Sequence, residues 1–424
     1  MTHADGLIRW SELMTLGAQE LEDNKLDTAL KAFGRAVAIG RKMGQLELLS
    51  FSLRMQGIVY NRLGNYTEAR IAFSESLELA RTTDNIRGQA EAISGLANVA
   101  FAMDEIEISE DLFAEACEKF DQINEQLRKA MVLCDLGALQ SNNGDWNKAY
   151  GSYHQALHLC RSHREKYGEA EILVMLGELS RRQGDLEQAV INLKAASMVF
   201  AALEDWRNLA ATLQYLGLNY HELGDLERSA DSHRRALALW SQLGENEEMA
   251  LVQFALGKVY QAMGQVTEAE DCFLKSLEML KNDPEGAGHR QQNLGNLYLM
   301  KKDWFKAEEY FKAAAESFEL AGKTGKTGEL LEVLGFLQEV QGITNLAEEY
   351  YTRALRAFEA GGQKRGQGDV YRSLGLMYNC DGKSKKALEY LWKALRIYRE
   401  LDETEVVKLE GEIQKISRRI RRGN

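Results

Sequence analysis

Proline is nearly absent from this chain: Pro284 is the only one among 424 residues. Proline interrupts helix interiors, so its scarcity favours a chain that is helical almost throughout. Cysteine is also scarce, and the five cysteines are odd in number and form no C-x-x-C pair. This indicates reduced thiols rather than a disulfide framework. No stretch approaches the roughly 20 apolar residues of a membrane helix, so we expect no membrane insertion.

Basic residues are outnumbered, with 52 lysines and arginines against 64 acidic residues and a net charge of −12. This balance argues against general nucleic-acid binding, because phosphate backbones attract basic surfaces. The exception is the segment 408–424, with six basic and two acidic residues. We interpret it as a helix whose cations favour its own C-terminal dipole; contact with nucleic acid or an anionic membrane is the alternative. Residues 1–20 contain no apolar stretch of a secretory signal, so we expect a cytoplasmic protein.

What the sequence does contain is a fixed repeat. A glycine, usually preceded by leucine, returns every forty residues, apart from one interval of thirty-eight. These glycines are Gly17, Gly57, Gly137, Gly177, Gly217, Gly257, Gly295, Gly335 and Gly375, with Ala97 in the remaining slot. A period of this size is typical of a solenoid, in which each repeat packs only on its neighbours.

Small and large residues alternate within each repeat in a way that predicts two packed helices. We number repeat positions so that the recurring glycine is position 8. Positions 20, 24 and 27 carry a mostly small, a mostly large and a small residue; they lie four and three apart and share one helix face. Position 15 is glycine in seven repeats and predicts a turn with a left-handed backbone. His233 occupies the large slot of the sixth repeat, so we expect it to be packed in the core.

This pattern resembles the tetratricopeptide repeat family. One repeat carries the matching residues Leu256, Gly257, Tyr260, Gly264, Ala269, Phe273 and Ser276. The resemblance covers about residues 11–401, and its period is similar to that of the longer-helix arrays in Partner-of-Inscuteable-type adaptors. It implies an all-α fold: a right-handed superhelical α-solenoid of ten helix-turn-helix repeats. We expect residues 1–401 to form the array and residues 402–424 to form a C-terminal capping helix with a basic tail.

The repeat is interrupted once, at residues 281–289. Two residues are missing there, and Pro284, Gly286 and Gly288 are inserted. The interruption either lets the first seven repeats pivot against the last three or forms a tight loop with unchanged stacking.

No constellation of catalytic residues emerges, so we predict a protein that is not an enzyme and holds no cofactor and no metal. The run 322–328 looks like a phosphate-binding loop, but it lacks the upstream glycine and the preceding strand. His154 and His158 lie four apart on a helix, but no third ligand shares their face. Trp146 and Trp304 follow the turn at a position where leucine is common, and we expect them in the core.

The resemblance implies that the first helices of successive repeats line a concave groove. Its exposed positions give the candidate partner-binding residues Arg54, Asn61, Asn98, Arg181, Arg182, His221, Phe254, Asn296, Leu299, Met300, Phe336 and Asn379. Asparagine amides suit an extended peptide backbone, arginines can receive acidic side chains, and the apolar members suit an interface. The carboxylate clamp of chaperone-binding tetratricopeptide domains is not matched, because Arg54 is followed by Ile58 rather than by asparagine.

We therefore expect a non-enzymatic adaptor or scaffold that binds a protein, through a peptide or a helix, in this groove. Two alternatives stay open: a peptide-sensing regulatory protein and a self-assembling structural scaffold. The first repeat begins by Ser11, so we expect no DNA-binding domain ahead of it, which disfavours the regulator. The predicted capping helix disfavours end-to-end stacking, so we expect a monomer or a weak homo-oligomer.

Overall fold

The computed structural model describes residues 3–280, 282–401 and 404–423, and every regular element within these ranges is an α-helix. The helices of the described residues are α1 (His3–Glu22), α2 (Leu26–Met43), α3 (Leu46–Arg62), α4 (Tyr66–Thr82), α5 (Ile86–Ala102), α6 (Ile106–Gln122), α7 (Gln126–Asn142), α8 (Trp146–Ser162), α9 (Lys166–Arg182), α10 (Leu186–Ala202), α11 (Trp206–Glu222), α12 (Leu226–Leu243), α13 (Asn246–Ala262), α14 (Val266–Met279), α15 (Pro284–Met300), α16 (Trp304–Leu320), α17 (Thr324–Val340), α18 (Thr344–Ala360), α19 (Lys364–Cys380), α20 (Ser384–Glu400) and α21 (Val406–Gly423). The all-α fold class is confirmed.

The chain divides into two units, residues 1–219 and residues 220–424. In the first unit, each odd-numbered helix from α1 to α9 pairs with the helix that follows it. In the second unit, α13 pairs with α14, α15 with α16, α17 with α18 and α19 with α20. The second helix of each such hairpin also packs on the first helix of the next hairpin in its unit. This is the nearest-neighbour packing that the repeat predicts.

The turns between paired helices adopt the left-handed backbone that position 15 predicts. All ten residues at this position have positive φ, from 58° at Asn24 to 85° at Gly144. In the second turn, the N–H of Gly64 bonds the carbonyl of Asn61, and the N–H of Asn65 bonds the carbonyl of Tyr60 at 2.9 Å. Such bonds satisfy carbonyl groups that the helix end leaves unpaired.

The recurring glycine lies directly under the large side chain of position 24 in the same hairpin. A Cβ atom added to Gly257 would lie 2.6 Å from Cε1 of Phe273, and one added to Gly57 would lie 3.0 Å from Cε1 of Phe73. Both phenylalanines are buried. The aromatic ring thus occupies the space of the missing side chain, which lets the two helices approach closely.

His233 is buried in the large slot of its repeat, as predicted, with 1% of its surface exposed. Neither ring nitrogen has a hydrogen-bond partner. Loss of hydration, assisted by the nearby His221, lowers the pKa of His233 to about 4. The imidazole is therefore neutral and acts as a packing residue at neutral pH.

The interruption of the repeat shortens one helix and starts the next with a defined cap. Helix α14 ends at Met279, and α15 begins at Pro284 after Asp283, whose carboxylate accepts a hydrogen bond from the backbone N–H of Gly286 at 2.8 Å. Lys281 lies outside the described residues. Asp283 supplies the N-cap and Pro284 the first turn, so these residues form an ordinary helix start. The pivot at 281–289 stays a prediction.

Arg290 ties the helices together around this interruption. Only 4% of the residue is exposed; its Nε donates to Oγ of Ser276 at 2.8 Å, and its Nη1 donates to the carbonyl of Gly286 at 2.9 Å. The guanidinium also stacks over the ring of Phe254, 4.7 Å from its centroid. These contacts link α13, α14 and α15.

Arg290→Ala should lower the free energy of unfolding by about 2 kcal/mol, because it removes two buried hydrogen bonds and leaves a void. Urea denaturation followed by circular dichroism measures the change. Arg356→Ala, at an exposed arginine of α18, is the control and should stay within about 0.5 kcal/mol of wild type. An equally small effect of Arg290→Ala would contradict its role in the packing.

The last helix packs against the final hairpin. Leu409, Ile413 and Ile416 of α21 are buried with Leu391 and Leu395 of α20 in one apolar cluster. Helix α21 thus covers apolar surface that α20 would otherwise expose. The division into an array of residues 1–401 and a cap of residues 402–424 stays a prediction, and residues 402 and 403 lie outside the described ranges. None of the described helices combines the length and apolarity needed to cross a membrane.

Candidate partner-binding groove

The first helices of several successive hairpins contact one another. Helix α3 contacts α5, α5 contacts α7 and α7 contacts α9, and in the second unit α17 contacts α19. We call the exposed side chains of α3, α5, α7 and α9 the first-unit face. Those of α13, α15, α17 and α19 are the second-unit face.

The first-unit face contains a cavity of about 700 Å³ between α3, α5 and α7. Arg54 and Asn98, two of the groove residues predicted from the sequence, line this cavity. Apolar side chains also line it, and Phe51 and Met131 remain 39% and 63% exposed. Ligand-binding clefts are about 300–1,000 Å³ in volume and combine apolar walls with a few polar groups. The cavity has both features.

Three arginines converge on one carboxylate in this cavity, and we call Arg54, Arg87, Arg128 and Glu91 the arginine pocket. Nη2 of Arg54 lies 2.6 Å from Oε2 of Glu91. Nε of Arg87 and Nη1 of Arg128 lie 3.3 and 3.2 Å from Oε1 of Glu91. The side chains of Arg54 and Glu91 are only 11% and 15% exposed. Each of the three cations comes from a different part of the sequence: α3, the start of α5 and the start of α7.

Burial is the main influence on the charged groups of the cavity. Burial lowers the pKa of Arg54, and the charges of Arg128 and Arg87 lower it further, while Glu91 opposes these effects. Desolvation by the surrounding helices raises the pKa of Asp135, although its side chain remains accessible from the cavity. Asn98 donates to Oδ2 of Asp135 over a long distance of 3.4 Å and to the carbonyl of Ser94 at 3.2 Å.

The other predicted groove residues of the first unit either form hydrogen bonds with neighbouring side chains or are partly buried. Arg181 donates to both carboxylate oxygens of Glu178, at 3.0 and 2.9 Å. Arg182 donates to the same carboxylate at 3.2 Å and to Oδ1 of Asn142 at 3.2 Å. These bonds, led by the one from Arg181, lower the pKa of Glu178. The amide oxygen of Asn61 is buried and has no hydrogen-bond partner.

The second-unit face carries an apolar strip, formed by Met300, Phe336 and Val340. These side chains are 55%, 56% and 58% exposed. The sulfur of Met300 lies 3.9 Å from Nε2 of Gln261, which links the ends of α13 and α15. Apolar surface of this kind is suited to a partner rather than to water.

Other nominated residues of the second unit contribute to packing as well as to the surface. Leu299 is half-buried against the core formed by α15 to α19. Phe254 is half-buried, with its ring centroid 5.7 Å from that of Phe273. His221 is half-buried at the end of α11, and Asn296 is exposed on α15. The amide oxygen of Asn379 is buried without a hydrogen-bond partner, as at the equivalent Asn61.

Carboxylates that the sequence analysis did not nominate lie on the second-unit face. Desolvation raises the pKa of Glu332, whose Oε1 accepts a hydrogen bond from Oγ of Ser373 at 3.0 Å. The carboxylate of Glu339 accepts a hydrogen bond from the hydroxyl of Tyr351 at 3.0 Å. This face therefore combines exposed apolar side chains with half-buried carboxylates, whereas three arginines converge on the first-unit face.

The expectation that Trp146 and Trp304 belong to the core is wrong. They are 41% and 45% exposed. Each is the first residue of its helix, α8 or α16, where the chain has only just left the turn and part of the indole remains outside the hairpin. Within residues 3–280, 282–401 and 404–423, no group of three or more His, Cys, Asp or Glu side chains is placed to hold a metal ion.

Comparison with known proteins identifies the repeat. Tetratricopeptide repeat family models match residues 55–83, 208–282 and 369–401. No curated protein matches the sequence. The apo form of RapI is similar in structure, with a TM-score of 0.61 at 12% identity, over 82% of this chain and 97% of RapI.

A second similar structure is a signal transduction ATPase with numerous domains and a tetratricopeptide repeat sensor, from Pyrococcus horikoshii. The TM-score is 0.58 at 14% identity, over 83% of this chain, which spans 55% of that protein. At these identities the similarity concerns the fold alone. The closer likeness to Partner-of-Inscuteable-type arrays, the right-handed superhelix and the count of ten repeats stay predictions. The helical hairpins, their glycine–aromatic packing and the matching repeat models agree: the chain contains tetratricopeptide repeats.

Proposed function

We propose that this protein is a non-enzymatic adaptor that binds a peptide segment or a helix of a partner protein in a concave groove lined by its first helices. Tetratricopeptide repeats are typically protein-interaction modules. The observation that carries the proposal is the open cavity of about 700 Å³ on the first-unit face, which joins exposed Phe51 and Met131 to a cluster of arginines. The apolar strip of the second unit supports it independently. A cytoplasmic location and a monomeric or weakly associating state belong to the same proposal.

The candidate groove residues divide into two roles under this proposal. The apolar strip supplies buried contact area, which dominates the energy of most interfaces. On the first-unit face the arginine pocket supplies polar contacts to a bound segment, and on the second-unit face the exposed Asn296 does so. Leu299 and Phe254 support the groove from beneath, since both are half-buried in the core.

A pull-down from a lysate of the source organism tests the proposal. Phe336→Ser combined with Val340→Ser removes most of the apolar strip and should reduce capture of a specific partner at least tenfold, because each change removes buried apolar contact. Both side chains are more than half exposed, so the fold should tolerate the changes. Captured proteins are quantified by mass spectrometry.

The matched control changes two exposed apolar side chains on α16, which is the second helix of its hairpin. Phe305 and Leu320 of α16 are 80% and 81% exposed, and Phe305→Ser with Leu320→Ser should leave capture unchanged. Partners that depend on the control pair instead of Phe336 and Val340 would place the interface on the second helices. That result would overturn the proposed groove.

A further inference from the structure

The arginine pocket gathers three guanidinium groups around one largely buried carboxylate. Arg54, Arg87 and Arg128 all contact Glu91, at 2.6, 3.3 and 3.2 Å. The second carboxylate, Glu125, lies 3.5 Å from Arg87 and 3.8 Å from Arg128, beyond the usual hydrogen-bond distance. Asp135 also lines the cavity, and Glu91 is the carboxylate that all three arginines contact.

Hydrogen-bond donors in the pocket also exceed the acceptors. Each guanidinium carries five N–H donors, whereas a carboxylate offers about four acceptor sites. Arg54 is enclosed and held by Glu91, but the side chains of Arg87 and Arg128 are 49% and 43% exposed. Both line the cavity. The two exposed guanidiniums are thus placed to receive another carboxylate, which arginine binds in a bidentate manner.

We propose that the arginine pocket is the subsite at which a bound peptide places a carboxylate, and that Glu91 occupies this subsite internally until the peptide arrives. The incoming carboxylate takes Arg87 and Arg128 from Glu91, while Glu91 keeps its ion pair with Arg54. The carboxylate belongs either to an aspartate or glutamate side chain or to the peptide C-terminus. This inference rests on the proposed function, because it names the ligand chemistry that the groove selects.

The surroundings of the pocket restrict what can accompany that carboxylate. Phe51 and Met131 flank the arginines with exposed apolar surface, which favours an apolar residue beside the acid. Asp135 and Glu125 repel further negative charge. The subsite therefore suits one isolated carboxylate and disfavours a polyanion such as a nucleic acid or a run of acidic residues.

Three pools of fluorescent octapeptides test this inference on the full chain. All have random flanks: one pool has a central glutamate and an amidated C-terminus, one has a central glutamine and an amidated C-terminus, and one has a central glutamine and a free C-terminus. The bound fraction on immobilised protein is measured at 150 mM salt. Wild type should retain one of the carboxylate pools at least tenfold better than the glutamine amide pool, and the preferred pool identifies the source of the carboxylate.

Variants assign the preference to the pocket. Arg87→Gln with Arg128→Gln should abolish it. Glu91→Gln should increase retention of the preferred pool severalfold, because the internal competitor is removed. If Glu91→Gln loses its helical circular dichroism, Arg128→Gln alone is used instead, at a side chain 43% exposed. This variant should reduce retention of the preferred pool. Arg41→Gln is the control, since Arg41 pairs with Glu75 on α2 and α4, away from the cavity.

The outcomes separate this inference from the proposed function. Equal retention of all three pools by wild type would overturn the carboxylate subsite and leave a peptide-binding groove intact. A preference that survives in the double arginine variant would place the subsite elsewhere and overturn its assignment to this pocket. Retention of no pool would overturn the subsite and also count against binding of short peptides as the function.

Discussion

Gly295→Val is expected to lower the free energy of unfolding by about 3 kcal/mol. A Cβ atom at this position would lie 2.7 Å from Cε1 of Phe311, and Phe311 is 1% exposed and has no room to move. Accommodation must push α15 and α16 apart, which opens the core between them. The change is measured by urea denaturation followed by circular dichroism at 222 nm.

Gly411→Val is the matched control for this prediction. Gly411 also lies within a helix of the second unit, but an added Cβ would meet no atom within 4 Å. The substitution should be neutral or slightly stabilising, because valine has a higher helix propensity than glycine. Equal effects of the two substitutions would show that helix propensity, rather than the glycine–aromatic contact, accounts for the effect of replacing the glycine at position 8.

Protonation of His233 is expected to destabilise the protein in acid by about 3 kcal/mol. Burial lowers its pKa from the ordinary 6.5 to about 4. In the unfolded chain the imidazole gains a proton near pH 6.5, and in the folded chain only near pH 4, so the unfolded state binds more protons in between. Stability is therefore complete above pH 6.5 and is lost as pH falls towards 4. Each pKa unit corresponds to about 1.4 kcal/mol.

His233→Phe should remove this part of the pH dependence. Phenylalanine occupies the equivalent position in five other repeats, so the larger ring has a precedent in the fold. Urea denaturation at pH 7.5, 5.5 and 4.5 compares the variant with wild type and with His158→Phe, which removes an exposed imidazole of α8. If the His233 variant loses as much stability between pH 7.5 and 4.5 as wild type does, His233 is not the source of this pH dependence.

The helical hairpins were predictable because the same local sequence pattern recurs along the chain. The turns, the glycine–aromatic contacts and the pairs of small residues depend on neighbours within about twenty residues, and the repeated copies of the pattern reinforce each other. Even the repeats that depart from it obey its geometry: Asn24, Asp104 and Lys302 adopt the left-handed turn without being glycine. Irregular positions were less predictable, as the exposed Trp146 and Trp304 show.

The candidate site was less predictable because it depends on side chains from three hairpins. Glu91 is the shared partner of arginines that lie 37 residues before and after it, a relation that no single repeat reveals. Arg87 and Arg128 also lie before the groove positions of their repeats, at the helix starts. The spacing of Arg87 and Glu91, four apart on one helix, was the one local signal that could have indicated the pocket.

On the second-unit face, two consecutive residues of α15 differ in how far they are exposed. Leu299 and Met300 are adjacent in sequence, yet Leu299 is half-buried against the core and Met300 is 55% exposed. Successive residues of a helix point about 100° apart, so neighbouring groove positions have different roles. The sequence placed both in the groove, and only the structure assigns Leu299 to support and Met300 to the surface.

Site-specific photocrosslinking tests the central claim most directly. A benzophenone amino acid is incorporated in place of Phe336 on α17 or, separately, in place of Phe305 on α16, and the protein is irradiated in cells of the source organism. If a partner occupies the groove formed by the first helices, the probe at position 336 should yield a discrete covalent adduct and the probe at position 305 should not. An adduct formed only from position 305 would contradict the account.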